Sequence, residues 1–276
     1  MADSGAGPAN SRSYRGAMPT GLEPSDPPVQ FIDRSLAYSD EGSGEPAIVA
    51  VPGLPGSGRD FRWLAPLLAE QFRVIRIDPP GYGASARPSW QAMTTADRAE
   101  SVNAVIEHLG LREAVLVGHS AGGAVVAHIA RHRPDLARAC VMISATGPTA
   151  HFAKHPLRVV AQPLRVPLVR RAVAPAIRQL YRLQGFPSYL TDDERAFALL
   201  DAAAFDFSEH RANLAGMRAP TMVTWAEDDP VITPETFRAL AASVPAGPRL
   251  EFADGRHNVQ KTHATRIAEA IVEFIG

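Results

Sequence analysis

The chain has 276 residues, 46% of them hydrophobic, a formal net charge of -1 and an isoelectric point near 6.8. That is enough apolar material for one large domain or two small ones, and the near-neutral balance argues against nucleic acid or another polyanion as the main partner. Cys140 is the single cysteine, which excludes an internal disulfide framework and leaves no Cys/His cluster for structural zinc, so a small, mostly neutral molecule is the expected ligand.

Residues 1–28 are rich in Gly, Pro, Ser and Ala and lack the apolar core of a signal peptide, so they read as a disordered leader. No window approaches the roughly 18 uninterrupted apolar residues of a membrane span, and a soluble, cytoplasmic protein is expected. From Val29, "VQFIDRSLAYSDEGSG" reads as two short strands, and "PAIVAVPG" as a strand covered on both faces, because its apolar run has no polar alternation. "RDFRWLAPLLAEQ" has helical spacing, and "FRVIRIDPPGYGAS" is a strand breaking into a Pro/Gly turn. "TTADRAESVNAVIEHLG" starts on a Thr cap and stops at Gly110, "AVLVGHS" returns to strand, and residues 121–132 form the next helix.

After the strand "ACVMISAT" the alternation is interrupted over residues 147–217 by helical spacing without a clear strand. It resumes with strand "TMVTWAEDD", helix "PETFRALAASV", strand "RLEFAD" and a last amphipathic helix "THATRIAEAIVEFI". Such alternation implies an α/β fold, a mostly parallel, doubly wound sheet built from 29–146 and 218–276, with 147–217 inserted as a helical cap. Ligands of such sheets bind at the carboxyl ends of the strands.

One stretch at such an end stands out. Gly118-His119-Ser120-Ala121-Gly122 matches G-x-S-x-G, in which a strand turns sharply into a helix and holds the serine hydroxyl above the sheet. A serine needs a base to take its proton and a carboxylate to orient that base. Asp228 and Asp229 end the strand of "TWAEDDPVITPE", and His257 follows the next strand in "FADGRHNVQ", all at the same sheet edge as Ser120.

In "VPGLPGSG", "DPPGYGAS", "GHSAGG" and the pair "WAEDDP … DGRHN", the chain resembles the α/β-hydrolase fold family over about residues 29–276. The resemblance implies Ser120 as nucleophile, His257 as general base and Asp229 as the orienting acid, the last position of the family's G-x-x-D. Ala226 stands where that pattern has Gly, which keeps Asp228 as the fallback. It also implies an oxyanion hole from the backbone amides of Leu54 and Ala121, with Pro52-Gly53 where relatives carry His-Gly, and structural support from Asp78, Gly81, Gly83 and Ser85. The expected reaction is cofactor-free, metal-free hydrolysis of a carboxylic ester of a small or medium, mostly apolar substrate. The same triad in relatives also serves carbon–carbon bond hydrolysis of ring-cleavage products, haloperoxidase-like peracid formation, acyl transfer and, with little turnover, ligand reception. Ser120 in place of an elbow Asp speaks against haloalkane dehalogenase and epoxide hydrolase chemistry.

Other residues have plainer readings beside the functional one. His119 is expected to pack or hydrogen-bond beside the nucleophile at the pocket, and Phe205 and Phe207 to line the acyl pocket or to hold the cap to the body. His128 and His132 have the i, i+4 spacing of a metal pair but no Glu between them in an HExxH pattern, so a helix surface is the better reading. Between Leu136 and Thr191 there are eight Lys or Arg and no Asp or Glu. A solvated face balanced by acids elsewhere is the plain account; contact with an anionic membrane or an anionic substrate is the sharper one. Oligomeric state is left open.

Overall fold

The computed structural model describes residues 26–149, 159, 161–183, 186 and 190–276, so all but the last three residues of the expected leader lie outside the described residues. Its eight-stranded sheet runs in the order β1-β2-β4-β3-β5-β6-β7-β8. β1 (Val29–Ile32) and β2 (Leu36–Glu41) form an antiparallel hairpin, and β2 pairs antiparallel with β4 (Val74–Ile77). From β4 onward the pairs are parallel through β3 (Ile48–Val51), β5 (Ala114–His119), β6 (Ala137–Ile143), β7 (Thr221–Ala226) and β8 (Arg249–Phe252).

The unbroken apolar runs of the central strands follow from burial on both faces. Along each strand alternate side chains enter different cores. Val49, Val51, Leu116, Met142 and Trp225 join one cluster with α2 (Thr95–His108), α3 (Gly122–His132) and α7 (Pro234–Ser243). Ile48, Ala50, Val115, Val141 and Met222 join the other with α1 (Ala65–Ala69) and α9 (Ala264–Ile275). α2 opens on a reciprocal capping box between Thr94 and Asp97, the Thr cap read from sequence.

One helix differs from expectation. The segment 59–71 is a 3₁₀ turn over Gly58–Phe61 followed by the short α1, because Pro66 has no amide to donate and is tolerated only in a first helical turn. The last helix runs as expected, as α9 (Ala264–Ile275), and the short α8 (Val259–Thr262) precedes it across His263.

Between β6 and β7 the described residues hold a 3₁₀ turn (Gln162–Arg165), α4 (Pro167–Leu183), α5 (Asp192–Ala204) and α6 (Phe207–Gly216), with no strand among them. Their apolar side chains, among them Leu164, Ile177, Tyr181, Phe197 and Leu200, form a third core that closes over Tyr82, Leu54 and Trp90 of the body. No helix among the described residues is long and apolar enough to cross a membrane.

Candidate active site

The parallel register brings three strand ends to one edge. His119 lies opposite Ile143, Ile143 opposite Thr224, and Ala226 opposite Phe252, so the loops after β5, β7 and β8 emerge side by side. Ser120 is the first residue off β5. Its φ of 52° is a left-handed conformation that an L side chain enters at a cost and that turns the chain sharply into α3. The turn is fixed from both sides, since Ser120 N donates to the Ile143 carbonyl (3.0 Å) and Thr146 N donates to the Ser120 carbonyl (3.1 Å). At Gly118 a Cβ would fall 2.6 Å from the Gly122 oxygen and 2.7 Å from the Gly123 Cα, which explains why only glycine fits under the turn.

The Ser120 hydroxyl meets His257 Nε2 at 2.9 Å, and His257 Nδ1 meets Asp229 Oδ2 at 2.7 Å. With Asp229 accepting from Nδ1–H, Nε2 keeps its lone pair for the serine proton. Asp229 is itself immobilised: its side chain is fully buried, and Oδ1 accepts from the amides of Val231 (2.7 Å) and Ile232 (3.1 Å). Asp228, the sequence fallback, accepts from the Arg256 amide at 2.7 Å instead. It ties down the loop that carries His257, and the neighbouring aspartates therefore divide the work of orienting the imidazole and its backbone.

His119 acts on the same loop. Its Nε2 donates to the His257 carbonyl at 2.9 Å, and its ring lies 5.1 Å from that of His257. Burial, reinforced by the neighbouring imidazole, pushes its pKa down to about 3, so it is neutral near physiological pH. It lines the cavity but is fitted to hold His257 rather than to exchange protons.

An open space of about 470 Å³ surrounds the serine, lined by Gly53, Leu54, Pro55, Asp60, His119, Phe186, Val231, His257 and Asn258. Gly53 passes so near that a Cβ there would sit 2.7 Å from Ser120 Cβ, which places the Gly53–Leu54 backbone beside that serine. Ala121 is the N-cap of α3, where helix amides face developing negative charge. Asp78 behaves as support: Oδ1 accepts from Gly58 N and Oδ2 from Ala84 N, each at 2.8 Å, while Ser85 Oγ donates to its carbonyl at 2.6 Å.

Phe205 and Phe207 stand elsewhere. They pack edge-to-face at 4.7 Å and cluster with Ala124 on α3, at the turn where Asp206 caps α6. That turn directs both rings onto the body helix, the second of the two roles expected for them, and Leu54, Pro55, Phe186 and Val231 supply the apolar lining near Ser120. His128 and His132 lie on α3 with rings 4.5 Å apart, and His128 Nδ1 is 3.3 Å from Glu209. Asp60, Phe186, Val231 and Asn258 were not singled out in the sequence. Asp60 lies six residues after Leu54 in the same glycine-rich loop, and that closeness is the signal that could have marked it.

A family model described as alpha/beta hydrolase fold matches residues 46–173. The chain is 25% identical over 264 residues to an uncharacterized hydrolase, YugF, of Bacillus subtilis, a match covering 85% of this chain and 92% of that protein. It is also 25% identical over 264 residues to the 2-hydroxy-6-oxo-6-phenylhexa-2,4-dienoate hydrolase of Burkholderia cepacia, covering 87% and 91%. Among solved structures, a thermophilic esterase from Thermogutta terrifontis aligns with a TM-score of 0.70 at 24% identity, over 86% of this chain and 92% of that one, a likeness that carries the fold alone.

Proposed function

Because the chain belongs to the α/β-hydrolase fold family, we propose that it is a serine hydrolase that cleaves a carboxylic ester through an acyl-enzyme. The observation that carries this reading is the unbroken relay Ser120–His257–Asp229, at 2.9 and 2.7 Å, opening into one cavity.

In this reading His257 Nε2 takes the Ser120 proton as Oγ bonds to the ester carbon. The carbonyl oxygen becomes an oxyanion held by the Leu54 and Ala121 amides, each donor of this kind being worth on the order of 3 kcal/mol. As the tetrahedral intermediate collapses, the imidazolium returns the proton to the departing alcohol; a water then repeats the sequence and frees the acid. Asp229 holds the imidazole in the required tautomer throughout. The half-apolar cavity suits a small or medium substrate.

Carbon–carbon hydrolysis of a ring-cleavage product is the second reading, favoured by the Burkholderia cepacia relative. The test is fluorophosphonate labelling located by peptide mass spectrometry, with turnover of a p-nitrophenyl ester chain-length series by wild type and Ser120→Ala. Labelling at Ser120 and a loss of turnover of at least about a thousandfold in the variant are expected. Folded protein that stays unlabelled and turns over no faster than Ser120→Ala overturns the reading.

A further inference from the structure

The loop that brings Leu54 to the nucleophile continues through "PGSGRD" into the catalytic cavity and leaves a carboxyl there. Asp60 shares the lining with Ser120, His257, Phe186 and Val231. Its backbone is held in the 3₁₀ turn, with Asp60 N donating to the Ser57 carbonyl at 2.9 Å. Its Oδ2 occupies the room left by Gly56, whose Cβ would lie 2.2 Å away. The nearby cations do not form an ion pair with it among the described residues: Arg59 reaches Asp26 at 2.8 Å, and Arg62 Nη1 donates to the Arg59 carbonyl at 3.1 Å.

A half-buried carboxyl on the cavity wall without a bonded cation keeps its charge available to a group that enters the cavity. We propose that Asp60 is a specificity-determining residue, selecting esters that carry an ammonium or hydrogen-bond-donating group and rejecting those that carry a carboxylate. The proposal rests on the ester-hydrolase reading and narrows it, because a dienoate product of ring cleavage brings its own carboxylate into the cavity. The mechanism gives Asp60 no proton to move; it acts on the substrate's charge.

The charged and titratable groups around Asp60 fix the sign of the effect. Burial is the main influence, and the Asp78 carboxyl adds to it, while the Arg62 guanidinium opposes both and the Ser57 amide donates to the charged form; together they push Asp60 up to about 7. Across the cavity, His119 is held neutral and His257 is the base of the relay. Below neutral pH Asp60 is uncharged and discriminates weakly; above it the carboxylate attracts cations and repels anions.

The test measures kcat/KM for matched neutral, trimethylammonium and carboxylate esters, with the charge in the acyl chain in one set and in the alcohol in the other, for wild type and Asp60→Asn. Any pH effect common to all substrates divides out of their ratios. Expected is a cation-to-neutral ratio that rises on the order of tenfold from about pH 6 to about pH 8.5 in one of the sets, a falling anion-to-neutral ratio, and flat ratios in Asp60→Asn. Circular dichroism and melting check that the variant folds; where it does not, a flat wild-type ratio in both sets still overturns the proposal. A slope that survives in folded Asp60→Asn also overturns it. Ser120-dependent turnover with flat ratios removes the Asp60 assignment alone, whereas absence of turnover and of Ser120 labelling removes the hydrolase reading and this assignment with it.

Discussion

The sheet edge that carries Ser120, Asp229 and His257 and the helices between β6 and β7 meet at the same cavity but are held by different physics. At the edge, position is set by backbone: parallel ladders, the left-handed Ser120, and amides that grip Asp229 and Asp228. The helices are held by side chains. Asp201 of α5 is buried against Arg98 of α2 and accepts from Tyr82 Oη (2.9 Å) and from Met93 N (2.8 Å). Arg170 of α4 lies 3.3 Å over the Trp90 ring, and Arg87 reaches Asp193 at 3.5 Å. A backbone-built site tolerates little change at any of its glycines, whereas a side-chain latch can fail by itself and leave the sheet intact.

The largest effect expected from this contrast is that of Gly118→Ala. The added Cβ meets only backbone atoms of Gly122 and Gly123, which cannot yield without unwinding the start of α3. A loss of roughly 4 kcal/mol or more, among the largest seen for single substitutions, is expected together with loss of the site. Denaturant unfolding read by circular dichroism checks it. A variant that stays within about 1 kcal/mol of wild type would show that the elbow is less rigid than its contacts imply.

Asp201→Ala comes next and tests the other half. It leaves the Arg98 guanidinium buried without its carboxylate, and Tyr82 Oη and Met93 N without their acceptor. Removing one partner of a buried pair costs about 3–5 kcal/mol. The loss is expected to be local, with hydrogen exchange accelerated in α5 and its neighbours while β5 and β6 keep their protection. Uniform acceleration across the sheet would mean that the two regions unfold as one unit and that the contrast has no energetic content.

The same division explains what could be read from the sequence. The elbow, the two following strand ends and the mostly parallel alternation of strands with helices were legible because each rests on a backbone requirement written in glycine, proline or alternation. The choice between Asp228 and Asp229 was not, since adjacent residues in one turn point in different directions and only the amides of Val231, Ile232 and Arg256 reveal which way. Which of their two expected roles Phe205 and Phe207 take was not legible, because a two-helix turn aims its aromatics by tertiary fit, here onto Ala124, and no periodicity encodes that. Asp60 was hidden inside a stretch read as continuous helix, which Pro66 breaks.

The smallest expected effect concerns the outer surface of α4. The basic run is partly balanced by acids, as its plain reading requires, since Arg178 pairs with Asp192 at 3.1 Å and Arg170 is drawn in toward Asp193 and Trp90. Arg171 and Arg182 remain exposed, and they flank Leu168 and Leu183, exposed at 76% and 75%, on the side of the helix away from Ile177 and Tyr181. Apolar side chains bordered by guanidinium groups suit the boundary between anionic headgroups and acyl chains. Flotation with vesicles of neutral lipid, and with vesicles containing about 30% anionic lipid, should therefore give weak, salt-sensitive recovery on the anionic set only, lost on Arg171→Glu/Arg182→Glu. Equal recovery of that variant, or no recovery on either vesicle, returns α4 to the plain reading of a solvated face and leaves the latch on its inner side as the one role its charges have.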